Sequence, residues 1–164
     1  MRVCLLTHVF PAHREDPPGI FVFELARGLA ARGHTVHVVT PWREGTADVE
    51  LLDGVRVTRF RHRGRFDSRL GELKRVPWRT MASFLHAWTG AASRAIREDR
   101  LQVVHAYWVV PAGLVGALAS RATGLPLIAS APGTDLHTTP KDPVLRQGVR
   151  WTLGRVDRLI ALGQ

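Results

Sequence analysis

The fold is decided by residues 101–137, with the sequence LQVVHAYWVVPAGLVGALASRATGLPLIASAPGTDLH. Residues 101–106 form a short apolar run rich in valine, which predicts a buried strand, and residues 127–130 predict a second one. A helix is predicted between them, beginning at Pro111 and ending at Gly124 and Pro126. One helix that joins two short apolar strands makes a βαβ unit, whose strands are parallel and buried on both faces.

Candidate binding residues follow the two predicted strands. In sheets built from such units, ligands bind beyond the carboxyl ends of the strands. Tyr107 and Trp108 follow the first strand, and Gly133, Thr134 and Asp135 follow the second. These five residues are therefore the first candidates for a substrate site.

The rest of the chain repeats the alternation of strand and helix. Further strands are predicted at residues 2–7, 35–40, 55–60 and 156–162, and residues 41–53 are predicted to form a long polar loop. Helices are predicted from Gly19, over residues 77–98, and from an Asp142 cap that precedes Pro143. Six strands in this order predict an α/β fold, a Rossmann-like doubly wound parallel sheet with helices on both faces. Because the chain stops directly after a strand, we expect this sequence to have been divided from a longer protein at a domain boundary.

Size and composition limit the classes of protein. The 164 residues, 45% of them hydrophobic, predict one globular domain. Cys4 is the only cysteine, which favours a cytoplasmic protein. The apolar run at residues 3–6 is too short for a signal peptide, and no stretch has the roughly 20 apolar residues that a membrane-spanning helix needs.

The charge is strongly basic. The formal net charge is +9, and all but two of the 23 basic residues, Lys74 and Lys141, are arginines. Basic residues crowd into positions 56–79, where Arg61, Arg63 and Arg65 form a candidate patch for anions or for an anionic membrane surface. A solvated, arginine-rich loop explains the same stretch and is the interpretation that we favour. No nucleic-acid recognition motif accompanies the charge, so nucleic acid is not expected as a partner.

Three blocks of the sequence together resemble one family. The blocks are FELARGLAARGHTVHVVTP, VVHAYWVVPAGLVGALASRATGLPLIASAPGTD and RVDRLIAL, and they resemble the N-terminal, acceptor-side domain of family 4 glycosyltransferases of the GT-B fold. The resemblance implies one half of a two-domain enzyme that transfers a sugar from a nucleotide-diphosphate sugar to an acceptor hydroxyl with retention of configuration. It also implies a small-molecule or lipid-linked acceptor, no metal cofactor, and a C-terminal donor-binding domain that is absent from this chain.

The sequence departs from the family pattern at three points. Many relatives carry a Gly-Gly pair near the donor phosphates, where this chain has Pro18 and Gly19. Pro132 stands where relatives often place His or Arg, and the Glu-x7-Glu motif of the donor domain is missing. We therefore expect the 164 residues to be inactive alone and assign no catalytic residue.

Each candidate residue also has a purely structural explanation. Gly19 precedes a helix, where it can hold phosphate or serve only the turn. His8 lies at the end of the first strand and is expected at the cleft edge, whereas His105 is expected to pack in the core and His137 to lie on the surface. Thr134 and Asp135 can bind sugar hydroxyls or close their own turn. Trp108 can line the site or pack beneath a domain interface.

Two other functional classes remain open. A free-standing Rossmann-like domain can bind a nucleotide or a protein partner without catalysis. A basic domain can instead bind the inner face of a membrane peripherally.

Overall fold

The computed structural model describes residues 1–64, 76–133 and 142–161 of the chain. Within these ranges, strands and helices alternate along the sequence, except that three strands follow one another between residues 35 and 60. The strands are β1 (Arg2–Leu6), β2 (Thr35–Pro41), β3 (Val49–Leu52), β4 (Val55–Phe60), β5 (Val103–Tyr107), β6 (Leu127–Ala131) and β7 (Arg158–Ala161). The α-helices are α1 (Ile20–Ala31), α2 (Trp78–Glu98), α3 (Leu114–Thr123) and α4 (Pro143–Leu153).

These strands form one sheet in the order β3-β4-β2-β1-β5-β6-β7. All neighbouring pairs are parallel except β3 and β4, which are antiparallel. From β1 the chain moves to β2 on one side, whereas β5 continues to β6 on the other side. The carboxyl ends of β1 and β5 therefore flank the point where the direction of winding reverses, which is the usual ligand position in doubly wound sheets.

The predicted α/β fold is confirmed, but the count of six strands is wrong. Residues 49–52 lie in the segment predicted as a loop, yet they form β3 and pair with β4 through a two-residue hairpin at Asp53 and Gly54. Both residues have positive φ, 49° and 80°, as a hairpin turn that matches the strand twist requires. The Asp-Gly dipeptide is a sequence signal for this turn. The strand itself gives no such signal, because β3 is an edge strand with exposed residues and lacks a long apolar run.

Apolar residues cover both faces of the sheet. Helix α1 packs Val22 and Phe23 on one face against a buried cluster that includes Leu5. Helix α2 packs Phe84 and Trp88 on the other face, together with α3. The fully buried Trp88 also donates its indole N–H to the carbonyl oxygen of Val39, 3.2 Å away, so its polar atom is satisfied.

Most helix boundaries agree with the prediction, but that of α3 does not. Helix α2 begins one residue after Pro77, and the carboxylate of Asp142 accepts hydrogen bonds from the backbone N–H groups of Val144 and Leu145 at the start of α4. Helix α3, by contrast, begins at Leu114 rather than at Pro111. Val110 is extended, with φ −138° and ψ 133°, because a residue that precedes proline disfavours the helical conformation.

A network of polar side chains connects the C-terminal end of α2 to the sheet near the amino ends of β2 and β4. The imidazole of His37 contacts Asp99 through Nδ1 and Thr58 through Nε2, each at 2.7 Å. Asp99 also accepts a hydrogen bond from Arg56 at 2.9 Å. Both nitrogens of this buried histidine therefore have a partner.

Candidate functional site

The candidate site lies at the reversal point between β1 and β5. The register pairs Leu6 with Ala106, so His8 and Trp108 each lie two residues beyond a paired position. Their ring centroids are 4.4 Å apart with the planes at 56°. Two side chains that are 100 residues apart in sequence thus meet because β1 and β5 are neighbours.

His8 is buried without full hydrogen bonding. Its side chain is 3% exposed, and within the described ranges its Nδ1 has no hydrogen-bond partner. Burial lowers the pKa of His8 from its ordinary value of 6.5 to about 3, so the ring is neutral near pH 7. Buried polar atoms without a partner are rare because each costs about 1–3 kcal/mol. A cost of this kind is expected where the polar atom serves a ligand.

Trp108, which contacts His8, belongs to a cluster of three aromatic side chains with Tyr107 and Phe21. Tyr107 and Trp108 are almost fully buried, which fits the packing interpretation of Trp108. Phe21, in the first turn of α1, is 47% exposed and lies 5.5 Å from the ring of Tyr107 and 5.6 Å from that of Trp108. The surface that a ligand would meet is therefore formed by Phe21, which the sequence analysis did not single out. An aromatic residue two positions after Gly19, in the first turn of a predicted helix, is the signal that could have found it.

Gly19 is required by the backbone. Its φ of 78° is left-handed, and it is the N-terminal cap of α1. A Cβ at this position would lie 2.5 Å from the carbonyl oxygen of Val9. The close approach of the two segments explains the glycine without any phosphate, and a phosphate contact at the N-terminus of α1 stays a prediction.

The loop between β1 and α1 is held by two arginines, Arg59 in β4 and Arg43, which follows β2. Arg59, 2% exposed, donates to Glu50 at 2.8 Å and to the carbonyl oxygen of Pro11 at 2.7 Å. Arg43 binds Asp16 at 2.7 Å, and Asp16 in turn accepts the N–H of Ala12. These contacts fix the loop in which His8 lies, so the site is preorganised.

Beyond the carboxyl end of β6, only one of the predicted site residues lies within the described part of the chain. Gly133 lies two residues beyond β6, is partly buried and has a φ of 119°. Thr134, Asp135 and His137 lie outside the described residues, as does Arg65. His105 is buried as predicted, and its Nε2 lies 2.8 Å from the hydroxyl of Ser130.

The arginines of the basic stretch divide into two groups. Arg56, Arg59 and Arg61 pair with Asp99, Glu50 and Asp48. Arg61 also stacks over Trp42 at 4.1 Å, so its guanidinium is already engaged. Arg63 differs, because its side chain lines a cleft at the start of α2. The predicted patch of Arg61 and Arg63 is therefore not one uniform basic surface.

Two general features concern metals and membranes. Within residues 1–64, 76–133 and 142–161, no three His, Cys, Asp or Glu side chains come together as metal ligands would. None of the helices in those ranges is long and apolar enough to cross a bilayer.

Comparisons with solved structures identify the fold. Sucrose-phosphate synthase from Thermosynechococcus elongatus has a TM-score of 0.66 at 17% identity, covering 99% of this chain and 77% of that chain. MurG from Acinetobacter baumannii has a TM-score of 0.59 at 14% identity, covering 99% and 41%. Arabidopsis thaliana UGT89C1, complexed with UDP, has a TM-score of 0.59 at 10% identity, covering 99% and 42%. At these identities the likeness shows the fold, and the chain spans less than half the length of the last two.

A comparison with models of protein families identifies the family, whereas the structural matches show only the fold. No curated protein matches the sequence significantly. The model described as glycosyl transferase 4-like domain matches residues 18–164, nearly the whole chain. The chain therefore belongs to the family of glycosyl transferase 4-like domains.

Proposed function

We propose that this chain is the acceptor-side half of a retaining glycosyltransferase that moves a sugar from a nucleotide-diphosphate sugar to an acceptor hydroxyl. The observation that carries the proposal is the unpartnered Nδ1 of His8, buried at the reversal point of the sheet in a chain of this family. A neutral imidazole can donate to or accept from a sugar hydroxyl. Because Nδ1 is enclosed, the aromatic side chains around it would have to move for the acceptor hydroxyl to reach this atom.

The aromatic side chains beside His8 suit a sugar or an apolar acceptor. Phe21 presents its ring to solvent, with Tyr107 and Trp108 behind it. A sugar ring has apolar C–H faces and polar edges, so it can pack on Phe21 while its hydroxyl reaches His8. In this arrangement His8 and Phe21 bind and orient the acceptor, and no described residue is assigned to the chemical step.

Donor contacts would come from the N-terminus of α1. Its backbone N–H groups and dipole favour negative charge, and α1 begins directly after Gly19. The donor diphosphate can be neutralised there in part without a metal ion. Pro18 has no backbone N–H to offer, so we expect this contact to be weaker than in relatives with two glycines.

The proposal requires a second domain that binds most of the donor. The chain spans 41% of MurG and 42% of the Arabidopsis enzyme. At the far edge of the sheet, Leu159 and Ile160 are 48% and 42% exposed, and a further domain would cover them. Transfer needs both substrates held in register, so the 164 residues alone should not turn over. We place such an enzyme in the cytoplasm.

A nuclear magnetic resonance titration tests the proposal. Nucleotide diphosphates and a panel of sugar and lipid-linked acceptors are added to the 164-residue chain, and backbone amide shifts are followed. We expect shifts around His8, Gly19, Phe21 and Trp108 that weaken in Phe21→Ala. Leu118→Ala, which removes an exposed apolar side chain on α3, is the matched control and should leave the shifts unchanged.

Two outcomes would contradict parts of the proposal. Absence of shifts at this edge for every ligand would refute the acceptor site. Sugar transfer by the 164-residue chain alone would refute the requirement for a second domain.

A binding module without catalysis is the second candidate function. It is favoured by Gly19, because steric need alone accounts for the residue that would otherwise mark a donor phosphate. This alternative predicts binding of a nucleotide or a protein partner that is indifferent to acceptors. The same titration separates the two, since only the glycosyltransferase half should respond to both ligand classes.

A further inference from the structure

A polar cleft lies at the carboxyl edge of the sheet, which also carries the His8 site. It is formed between the segment that follows β4 and the start of α2. Its volume is about 540 Å³. It is lined by Arg63, Gly64, Arg79, Thr80, Ser83 and His86. The site at His8 shares none of these residues, so the cleft is a separate feature of the surface.

The two walls of the cleft are held together by specific contacts. Gly64 has a φ of 84°, and a Cβ there would lie 2.5 Å from the hydroxyl oxygen of Thr80. One residue earlier, the backbone N–H of Arg63 donates to the hydroxyl of Ser83 at 2.9 Å. The backbone after β4 is thus fixed against the first two turns of α2, and the cleft has a defined shape.

Among the described residues, the lining of the cleft is basic and contains no carboxylate. The lining side chains are two guanidinium groups, one imidazole and two hydroxyls. Arg56, Arg59 and Arg61 each have a carboxylate partner, whereas neither Arg63 nor Arg79 has one among the described residues. Arg79 also lies over the ring of Trp78, 5.4 Å from its centroid. Two guanidinium groups without a carboxylate partner among the described residues form a donor set that suits a phosphate, because the planar fork of arginine matches phosphate oxygens.

The cleft and the His8 site follow strands that are only two positions apart in the sheet. Strand β4 is separated from β1 only by β2, and neighbouring strands lie about 4.8 Å apart, so the two strand ends are about 10 Å apart. We propose that the cleft of Arg63 and Arg79 binds a phosphate group carried by the acceptor, whose hydroxyl lies at His8. The assignment of this phosphate to the acceptor rests on the proposed function, but binding of phosphate in the cleft does not.

Binding is measured directly, without donor or transfer. Inorganic phosphate, glucose 6-phosphate and uncharged glucose are titrated into the 164-residue chain while amide shifts are followed. We expect shifts at residues 63–64 and 79–86 with both phosphates and none there with glucose. Arg79→Gln and Arg63→Gln should each weaken phosphate binding by about tenfold, since each removes charge-assisted hydrogen bonds.

Arg94→Gln is the matched control. Arg94 is exposed on the same helix, 15 residues from Arg79 and therefore about 22 Å along its axis. The control changes the net charge equally and should alter phosphate binding by less than about twofold. Thermal unfolding followed by circular dichroism would check that these three arginine substitutions, all at exposed positions, leave the fold intact.

Vesicles distinguish a soluble acceptor from a lipid. Sedimentation with mixed phosphatidylcholine–phosphatidylglycerol vesicles that is lost in Arg79→Gln but kept in Arg94→Gln would assign the phosphate to a lipid headgroup. Binding of glucose 6-phosphate without vesicle binding would assign it to a soluble molecule. The inference is overturned if neither probe binds at the cleft, or if Arg94→Gln weakens binding as much as Arg79→Gln. Phosphate binding in the cleft of a chain whose amides around His8 and Phe21 do not respond to any acceptor would refute the proposed acceptor site alone.

Discussion

Two buried histidines lie at opposite ends of the same sheet and differ in how their ring nitrogens are satisfied. His37, near the amino ends of the strands, is 1% exposed, and both nitrogens have partners, Asp99 and Thr58, at 2.7 Å. His8, beyond the carboxyl end of β1, is 3% exposed, and its Nδ1 has no partner among the described residues. Burial lowers the pKa of both rings. The two differ in hydrogen bonding rather than in burial.

This difference separates a structural group from a candidate functional one. A buried histidine with two partners contributes to stability, and it joins α2 to the sheet. A buried histidine with a free nitrogen lowers stability unless a ligand supplies the missing partner. His8, at the carboxyl edge, thus carries a local cost that His37 avoids, as expected if a ligand binds beside His8.

The largest effect is expected when the loop that carries His8 is displaced. Gly19→Ala adds a Cβ that overlaps the backbone of Val9 and forces a side chain into left-handed φ. We expect the free energy of unfolding to fall by about 3 kcal/mol, from the strain of the conformation and the displaced loop together. Urea denaturation measures it.

Gly33→Ala is the control for this substitution. Gly33 has a φ of 81°, but a Cβ there would meet nothing within 4 Å. Only the conformational strain applies, so the expected loss is about 1 kcal/mol. Equal losses at the two glycines would show that the loop is not fixed by close approach.

The comparison itself is tested by replacing each histidine with phenylalanine. His37→Phe removes two hydrogen bonds and leaves Asp99 and Thr58 with unmet polar atoms, so we expect a loss of about 2 kcal/mol in the free energy of unfolding. His8→Phe removes an unpartnered polar atom from a buried aromatic contact, so stability should stay the same or rise by up to about 1 kcal/mol. Equilibrium unfolding at neutral pH gives both values. A loss of similar size in both variants would abolish the distinction.

Acidification should reveal the neutral state of His8. Its folded pKa, about 3, lies below the unfolded value of 6.5, so below pH 6.5 the unfolded chain binds a proton that the folded chain does not. Stability therefore falls as the pH drops from 6.5 towards 3, by about 1.4 kcal/mol per pH unit for this group.

Unfolding free energies near pH 7.5 and pH 5.5 test this dependence. The drop between the two should be smaller in His8→Phe than in the parent by about 1.4 kcal/mol. The same drop in both proteins would mean that His8 does not stay neutral in the folded state.

The smallest effect should come from removing a hydrogen-bond partner from His105, so that this buried ring, like that of His8, has a nitrogen without a partner among the described residues. Ser130→Ala removes the hydroxyl that lies 2.8 Å from the Nε2 of buried His105. We expect a loss of about 1 kcal/mol in thermal or urea unfolding. Ser120→Ala is the control, because the buried Ser120 hydroxyl has no partner in the described part of the chain and its removal should cost nothing. If Ser130→Ala also costs nothing, an unpartnered imidazole nitrogen is not a burden in this fold.

Local sequence signals predicted much of the architecture. The strands on either side of α3 and the Asp142 cap were predicted within one or two residues, because short apolar runs and capping residues act over a few positions. Strand β3 was missed, because its four residues are partly or fully exposed and gain their order only by pairing with β4.

The site was predicted only in part. His8, Gly19, Tyr107 and Trp108 were selected by their positions at strand and helix ends, and the structure brings them to one edge. Their relation to one another, and the exposed ring of Phe21 beside them, could not be predicted. Arg61 and Arg63 looked alike in sequence, but Asp48 engages the first, whereas the second lines a cleft.

The sequence by itself determined the alternation of strands and helices, the parallel βαβ unit and the family, because these depend on residue types within short windows. Only the tertiary structure decided that β1 and β5 are neighbours, that His8 rests on Trp108 with an unpartnered nitrogen, and that Arg63 shares a cleft with Arg79. Such contacts depend on which distant segments become adjacent in the sheet. That adjacency is set by the packing of the whole core, which no local pattern of residues encodes.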